Sequence, residues 1–403
     1  MKTWFFPIFF LIVLFMDELF ATFLTAFSIP LSKGMLQKEY IVISIVSYLI
    51  FCKDIIGHVK EVKHIIIATV IVGILMYSTQ FFYTVHLPER YNSYFSALLF
   101  FLSGSLSSMI VGSHIGSNCD KNIIEKINTS LPFVVIPIGY IIGTAGLINA
   151  RMSVFSEEDN ILDYQSVSYM MALIFAYSVY LFFLRKWPKN ILSKVLKMLV
   201  MPLLIFAPFA CLASGGRGGA VLLIVFVVFY FLAFIKSGLF SWWKIALILV
   251  MTFTCILIVA DNISLESFDG FLRITGTMTK DDGRADIYKS AINIFLDAPL
   301  WGHGLGSIWF TQGIYSHNIV LDILAETGII GLLVIIPKLL ILLYRGYKIC
   351  LRTPWLIILY LAFIKGFVMD LFSNYWLNTL PLWMLFGFIY NKKIINLYKR
   401  KKI

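Results

Sequence analysis

The stretch YSHNIVLDILAETGIIGLL, residues 315–333, places His317 at the edge of an apolar run. Asn318, Asp322 and Glu326 follow at four-residue spacing and form one polar stripe on a helix. A neutral imidazole at that edge can take a proton, and Ser316 or Asn318 can cap the helix. Glu326 falls about two turns inside, where a carboxylate calls for a cationic partner; Arg217, Arg284 and Lys365 are the candidates. The alternative is that Glu326 only locks two helices together, with Gly328 and Gly331 as close packing points. Upstream, DDGRADIYKSAINIFLDAPLWGHGLGS predicts a helix from about Asp286 to Phe295, with Arg284 just ahead of it. A helix N-terminus attracts anions, and a guanidinium beside it adds a planar charged fork suited to phosphate. Pairing of Arg284 with Asp281, Asp282 or Asp286 is the competing reading. Arg217 lies in LASGGRGGAV, whose four glycines permit close backbone approach at the start of another helix. Its competing reading is snorkelling to headgroups. Two arginines on one side of a membrane point to a pyrophosphate.

The elements that must position these residues follow from composition. The 403 residues are 60% hydrophobic and 14% charged, which indicates an all-α integral membrane protein. Apolar runs at 4–27, 39–53, 64–85, 94–112, 130–148, 166–184, 194–213, 219–235, 242–260, 318–344, 354–372 and 375–391 give about 12 transmembrane helices. Residues 1–260 hold helices 1–9, residues 261–317 a large external cap loop, and residues 318–403 helices 10–12 with a basic tail. The aromatic and apolar content of the cap (Phe268, Phe271, Ile287, Phe295, Trp301, Trp309, Phe310) predicts that it is folded. Lys and Arg concentrate on one side, as in RKWPKNILSK and the tail NKKIINLYKRKKI, which places both termini in the cytoplasm and the site on the external face. The net charge of +11 is therefore a topology signal with lipid headgroups as secondary contacts, and nucleic acid is excluded as a partner.

Several motifs are set aside. GHGLGS has no preceding strand and no following Lys-Ser/Thr, so it reads as a close-approach loop, with His303 a hydrogen-bonded loop residue. The five cysteines (Cys52, Cys119, Cys211, Cys255, Cys350) lack paired spacing, and the histidines lack metal-ligand spacing; neither disulfides nor a metal is expected. The first apolar run lacks a small-residue cleavage site and reads as a retained span. The acidic segment FSEEDNILDY near 149–165 reads as a solvated loop.

SGGRGG before a span, GRADIY in the large external loop, APLWGHGLGS, and SHNIVLDILAETGIIGLL at re-entry occur in that order. In this the chain resembles the O-antigen ligase and O-antigen polymerase superfamily of bacterial cell-surface polysaccharide assembly. The motifs cover roughly the last half of the chain; the first half matches only in hydropathy. The resemblance implies a C-type glycosyltransferase-like fold in the bacterial inner (plasma) membrane. It implies an inverting glycosyltransferase without cofactor, whose donor is an undecaprenyl-pyrophosphate-linked oligosaccharide. Arg217 and Arg284 match the family's pyrophosphate-binding arginines, and His317 matches the histidine near the acceptor. Glu326 matches a recurring acid of unassigned role. Two readings stay open: a polymerase that moves the growing glycan onto a lipid-linked repeat unit of O-antigen, capsule or exopolysaccharide, and a ligase that moves finished glycan to a terminal acceptor such as lipid A-core. The polymerase is put first on family breadth. A chain-length regulator and a flippase would be the protein partners. A transporter of lipid-linked glycans ranks third, because no internal repeat is seen and the charge chemistry gathers on one face.

Overall fold

In the computed structural model the described residues are 63, 67, 71, 105, 107–117, 121–152, 164–214, 216–236, 284–308, 315–352, 356–373, 375, 376, 379–391 and 394. The apolar runs expected at 4–27, 39–53 and 242–260, and most of 64–85 and 94–112, lie outside them. Among the described residues the ordered elements are all helical. They are α1 (Ser107–Ser117), α2 (Lys121–Met152), α3 (Tyr164–Val179), α4 (Ile191–Ala213), α5 (Arg217–Lys236), α6 (Arg284–Asp297), α7 (Ile319–Arg352), α8 (Ile357–Phe372) and α9 (Leu380–Ile389). Among the described residues four stretches are long and apolar enough to cross a membrane: Glu125–Thr144, Tyr164–Leu184, Ile191–Ala213 and Ile319–Leu351.

The contacts divide the chain into two units, which interleave along the sequence. The first contains α2 to α5 and residues 356–368. At its centre is α3, apolar on all sides, in which every residue from Val167 to Val179 is buried. Buried hydroxyls here end on backbone carbonyls of neighbouring helices: Tyr177 Oη of α3 donates to Ile358 O at 2.9 Å, and Tyr230 Oη of α5 donates to Ala176 O at 2.6 Å. The second unit contains α1, α6, α7 as far as residue 349, and the described residues from 369 onward. Here α1 and α9 cross at glycines, since a Cβ at Gly112 would overlap the Met384 carbonyl and one at Gly387 that of Met109. Asn391 is buried at this crossing and donates to Ser113 O and Oγ at 3.0 and 3.1 Å.

Residues 318–344, expected as one uninterrupted span, are broken. Gly328 inside α7 has φ 64° and ψ −164°, so Ile319–Thr327 forms a short upper helix and the main helix restarts beyond it. The role expected for Gly328 as a helix packing point is corrected accordingly: only glycine takes this backbone conformation readily, and a Cβ here would overlap Leu300. Gly331 faces Thr327 of its own helix instead of a neighbour.

Candidate functional site

The break in α7 is closed by the loop that follows α6. His303 N–H donates to Ala325 O at 2.9 Å and Gly304 N–H to Glu326 O at 2.8 Å, satisfying carbonyls that the interrupted helix leaves open. On the other side of the break, Ile329 N–H donates to Pro299 O at 2.9 Å and Ile330 N–H to Leu300 O at 3.3 Å. Gly302, Gly304 and Gly306 all have positive φ (68°, 92° and 80°). GHGLGS is thus a close-approach loop, as its glycines suggest, and what it approaches is backbone: a Cβ at Gly302 would overlap Glu326 and Thr327. Below the loop Ala291 of α6, Ile308 and Ala325 form a small core, with Ile294 and Leu321 packed against it.

Glu326 is buried, and its partners correct the expectation of a cation. Oε1 accepts from Gly306 N–H at 2.7 Å and from Tyr375 Oη at 2.7 Å, and Oε2 accepts from Trp376 Nε1 at 3.4 Å. All three donors are neutral. A ring of neutral donors can hold a buried carboxyl group in place of a salt bridge, because it supplies hydrogen bonds without burying a second charge. Tyr375 and Trp376 were not anticipated, since they lie 49 and 50 residues further along the chain.

The N-terminus of α7 is a compact polar turn. Asn318, of the two candidate caps, is the one that caps it: Oδ1 accepts from Val320 N–H at 3.0 Å and Leu321 N–H at 3.3 Å. Ser316 ties the turn internally, donating from Oγ to Asn318 O at 2.9 Å and accepting from Asn318 N–H at 3.1 Å. Asp322, fully buried, reaches back from the first turn so that Oδ1 accepts from Ser316 N–H at 3.0 Å. Between these anchors His317 has φ 58°, a left-handed conformation that a non-glycine residue keeps only where its surroundings impose it.

The His317 ring is half-buried and packs on Tyr315, with centroids 4.4 Å apart. Tyr315 Oη donates to Ser373 O at 3.0 Å, and its ring lies 6.2 Å from that of Tyr375, so the histidine and the Glu326 cage share one aromatic wall. The Nδ1 atom of His317 is buried and has no hydrogen-bond partner. Burial lowers the ring's pKa from 6.5; a backbone hydrogen bond with Ser373 opposes this, and the charge of Arg284 reinforces it. The ring is held towards its neutral, proton-accepting form with Arg284 close enough to act on it. Arg284 itself is the first residue of α6, whose bounds Arg284–Asp297 are wider than expected, so the arginine belongs to a helix start, where backbone N–H groups attract anions. Asp281 and Asp282 lie outside the described residues.

Arg217 begins α5 in the first unit, and its side chain is exposed. The neighbouring glycines serve packing: a Cβ at Gly218 would overlap Tyr169 Oη, and one at Gly216 or Gly219 would overlap Ser168. Ser168 Oγ donates to Gly216 O at 3.0 Å and to Cys211 O at 3.1 Å. Close approach to α3 therefore accounts for three of the four glycines that had argued for an anion site there. Among the described residues no cluster of His, Cys, Asp and Glu could hold a metal ion.

Residues 202–336 match the family model described as O-Antigen ligase. The match supports an assignment to the O-antigen ligase and polymerase superfamily. It runs from within α4 to within α7 and takes in Arg217, Arg284, His317, Asn318 and Glu326; Tyr375 and Trp376, which hold Glu326, fall outside it. Comparison with curated proteins gives no match.

Proposed function

We propose that the chain is an inverting glycosyltransferase that moves a glycan from undecaprenyl pyrophosphate to a lipid-linked acceptor repeat unit, working at the external face of the bacterial inner membrane. The observation that carries this reading is the pairing of a half-buried histidine, held towards its neutral form, with an arginine at the start of α6 whose charge acts on it. An acceptor hydroxyl oxygen attacks the anomeric carbon and its proton passes to His317. The bond from that carbon to the pyrophosphate oxygen breaks, and the departing charge is met by Arg284 and the N–H groups of α6. Arg217 is assigned a second pyrophosphate contact on its SGGRGG setting and the family match alone. Glu326, caged by neutral donors, and Asn318, the cap of α7, support the histidine turn.

The second reading is a ligase, in which finished glycan is transferred to a terminal acceptor such as lipid A-core; the family match does not separate the two. A purified protein given lipid-linked repeat units separates the two: a polymerase elongates them unaided, whereas a ligase leaves them unchanged until the terminal acceptor is added. Inactivity under both conditions would overturn the glycosyltransferase reading. A chain-length regulator and a flippase are the proposed protein partners. A transporter of lipid-linked glycans ranks third, because no internal repeat is seen along the sequence.

A further inference from the structure

Helix α6 has three faces. One, with Ala291 buried and Ile294 half-buried, packs on Ile308, Ala325 and Leu321. A second is polar and exposed, formed by Asp286, Lys289, Asn293 and Asp297. Between them runs an apolar edge open to the surroundings: Ile292 (44% exposed) and Leu296 (61%), one turn apart, continued beyond the helix by Leu300 (58%) and Trp301 (72%). Large apolar side chains aligned in this way are not an ordinary water-facing surface.

The edge continues onto α7. The hydrogen bonds from Ile329 N–H to Pro299 O and from Ile330 N–H to Leu300 O fix it beside the point where the main helix restarts. No residue from Ile319 to Gly328 is exposed, whereas Ile329, Ile330, Leu333 and Val334, immediately beyond, are exposed and apolar. In a helix long and apolar enough to cross a membrane, such positions face lipid. We propose that the edge formed by Ile292, Leu296, Leu300 and Trp301 is a membrane-docking surface, embedded in the phospholipid interface at the level where the main helix of α7 enters the bilayer. A tryptophan suits that level because its ring is apolar and its N–H can reach headgroups, and Lys289, bordering the edge on α6, can lay its stem along it with the ammonium in water. Helices held in this way sink about 5–10 Å into the headgroup and acyl boundary. The cap is then a surface-embedded element, and Arg284 at its start is carried at headgroup height. This docking does not depend on the proposed reaction.

The test uses the full-length protein in phosphatidylcholine and phosphatidylglycerol vesicles free of polyprenyl lipid, with its five cysteines replaced by serine or alanine. An environment-sensitive fluorophore is attached at Trp301→Cys, at Leu296→Cys, and at Asn293→Cys as the polar-face reference. Phospholipids brominated on the acyl chains should remove most of the emission at 296 and 301 while aqueous iodide removes little, and the order should reverse at 293. Using two apolar-edge positions keeps the test intact if one variant fails to fold. Iodide quenching at 296 and 301 as strong as at 293 would place the edge in water. Protection from both quenchers would mean that protein covers it, a second copy for example. Either result overturns the proposal.

Discussion

The bundle around α3 and the segment joining α6 to α7 meet burial in opposite ways. In the bundle, Val167 to Val179 are buried, and the hydroxyls of Ser168, Tyr177 and Tyr230 end on carbonyl oxygens. The one polar side chain left unpaired in that run is the neutral Ser178 hydroxyl. In the second region buried atoms of ionisable groups, His317 Nδ1 and Asp322 Oδ2 among them, have no hydrogen-bond partner, and the backbone has positive φ at His317, at Gly328 and at the three glycines of the GHGLGS loop. Apolar packing tolerates little change of shape but performs no chemistry. Buried titratable groups with a free atom concentrate where function resides, and here Ser316 and Asn318 hold the turn that carries them. We read the contrast as scaffold in the bundle, apart from Arg217 at the start of α5, and chemistry in the segment joining α6 to α7.

Activity and stability should therefore separate in the polar region and move together in the bundle. The largest effect is expected at Arg284: Arg284→Ala should lower glycan transfer by about 10² to 10³ with unchanged accumulation in the membrane, as for loss of one charge-stabilising donor. Arg284→Lys should recover little, because lysine lacks the planar fork; Arg217→Ala tests the second contact in the same assay. Full activity of an alanine variant would remove that arginine from the chemistry. Next comes Glu326→Ala, which strands the Tyr375 hydroxyl and the Gly306 N–H at about 1–3 kcal/mol each in thermal unfolding, whereas Glu326→Gln keeps an accepting oxygen and should lose far less. Equal losses for both would mean that a charge matters there. In the bundle, Gly219→Ala drives a methyl group into Ser168 and should cost about 1–3 kcal/mol, with transfer falling only as folded protein is lost. The smallest effect concerns pH. Because His317 binds a proton less readily when folded, its neutral form contributes stability above about pH 6.5 that is lost as pH falls through 6.5 towards the lowered value, and His317→Gln should abolish this acid-side drop in melting temperature.

Much of this was legible along the chain. Period and caps give α6 and the start of α7, and the glycine spacing in GHGLGS signals close approach, because these depend on neighbours within a few residues. What the glycines approach was not legible. Gly328 reads as a packing glycine inside an apolar run, and only the arrival of Pro299 and Leu300 at its carbonyl-poor side makes the break affordable in hydrogen bonds. The cage of Glu326 was hidden for the same reason. A local reading looks for a cation, whereas the donors come from Gly306, 20 residues upstream, and from Tyr375 and Trp376, 49 and 50 residues downstream; the available signal was the polar-edged aromatic pair Tyr375 and Trp376 at the start of an apolar run. The glycines around Arg217 show the converse, a pattern read as chemistry that packing against Ser168 and Tyr169 explains.

The role of His317 is tested most directly by the rate of glycan transfer by purified His317→Gln, measured against pH on lipid-linked repeat units with donor binding measured alongside. Glutamine can replace hydrogen bonds but cannot take the proton. With His317 as base, the parent enzyme is flat above about pH 6.5 and loses rate below it, with a midpoint on the acid side of 6.5. The variant should then bind donor nearly as well yet turn over at least about a hundredfold more slowly, with the acid limb gone. Near-normal turnover with a flat profile in the variant would contradict the assignment and leave His317 as a positioning residue.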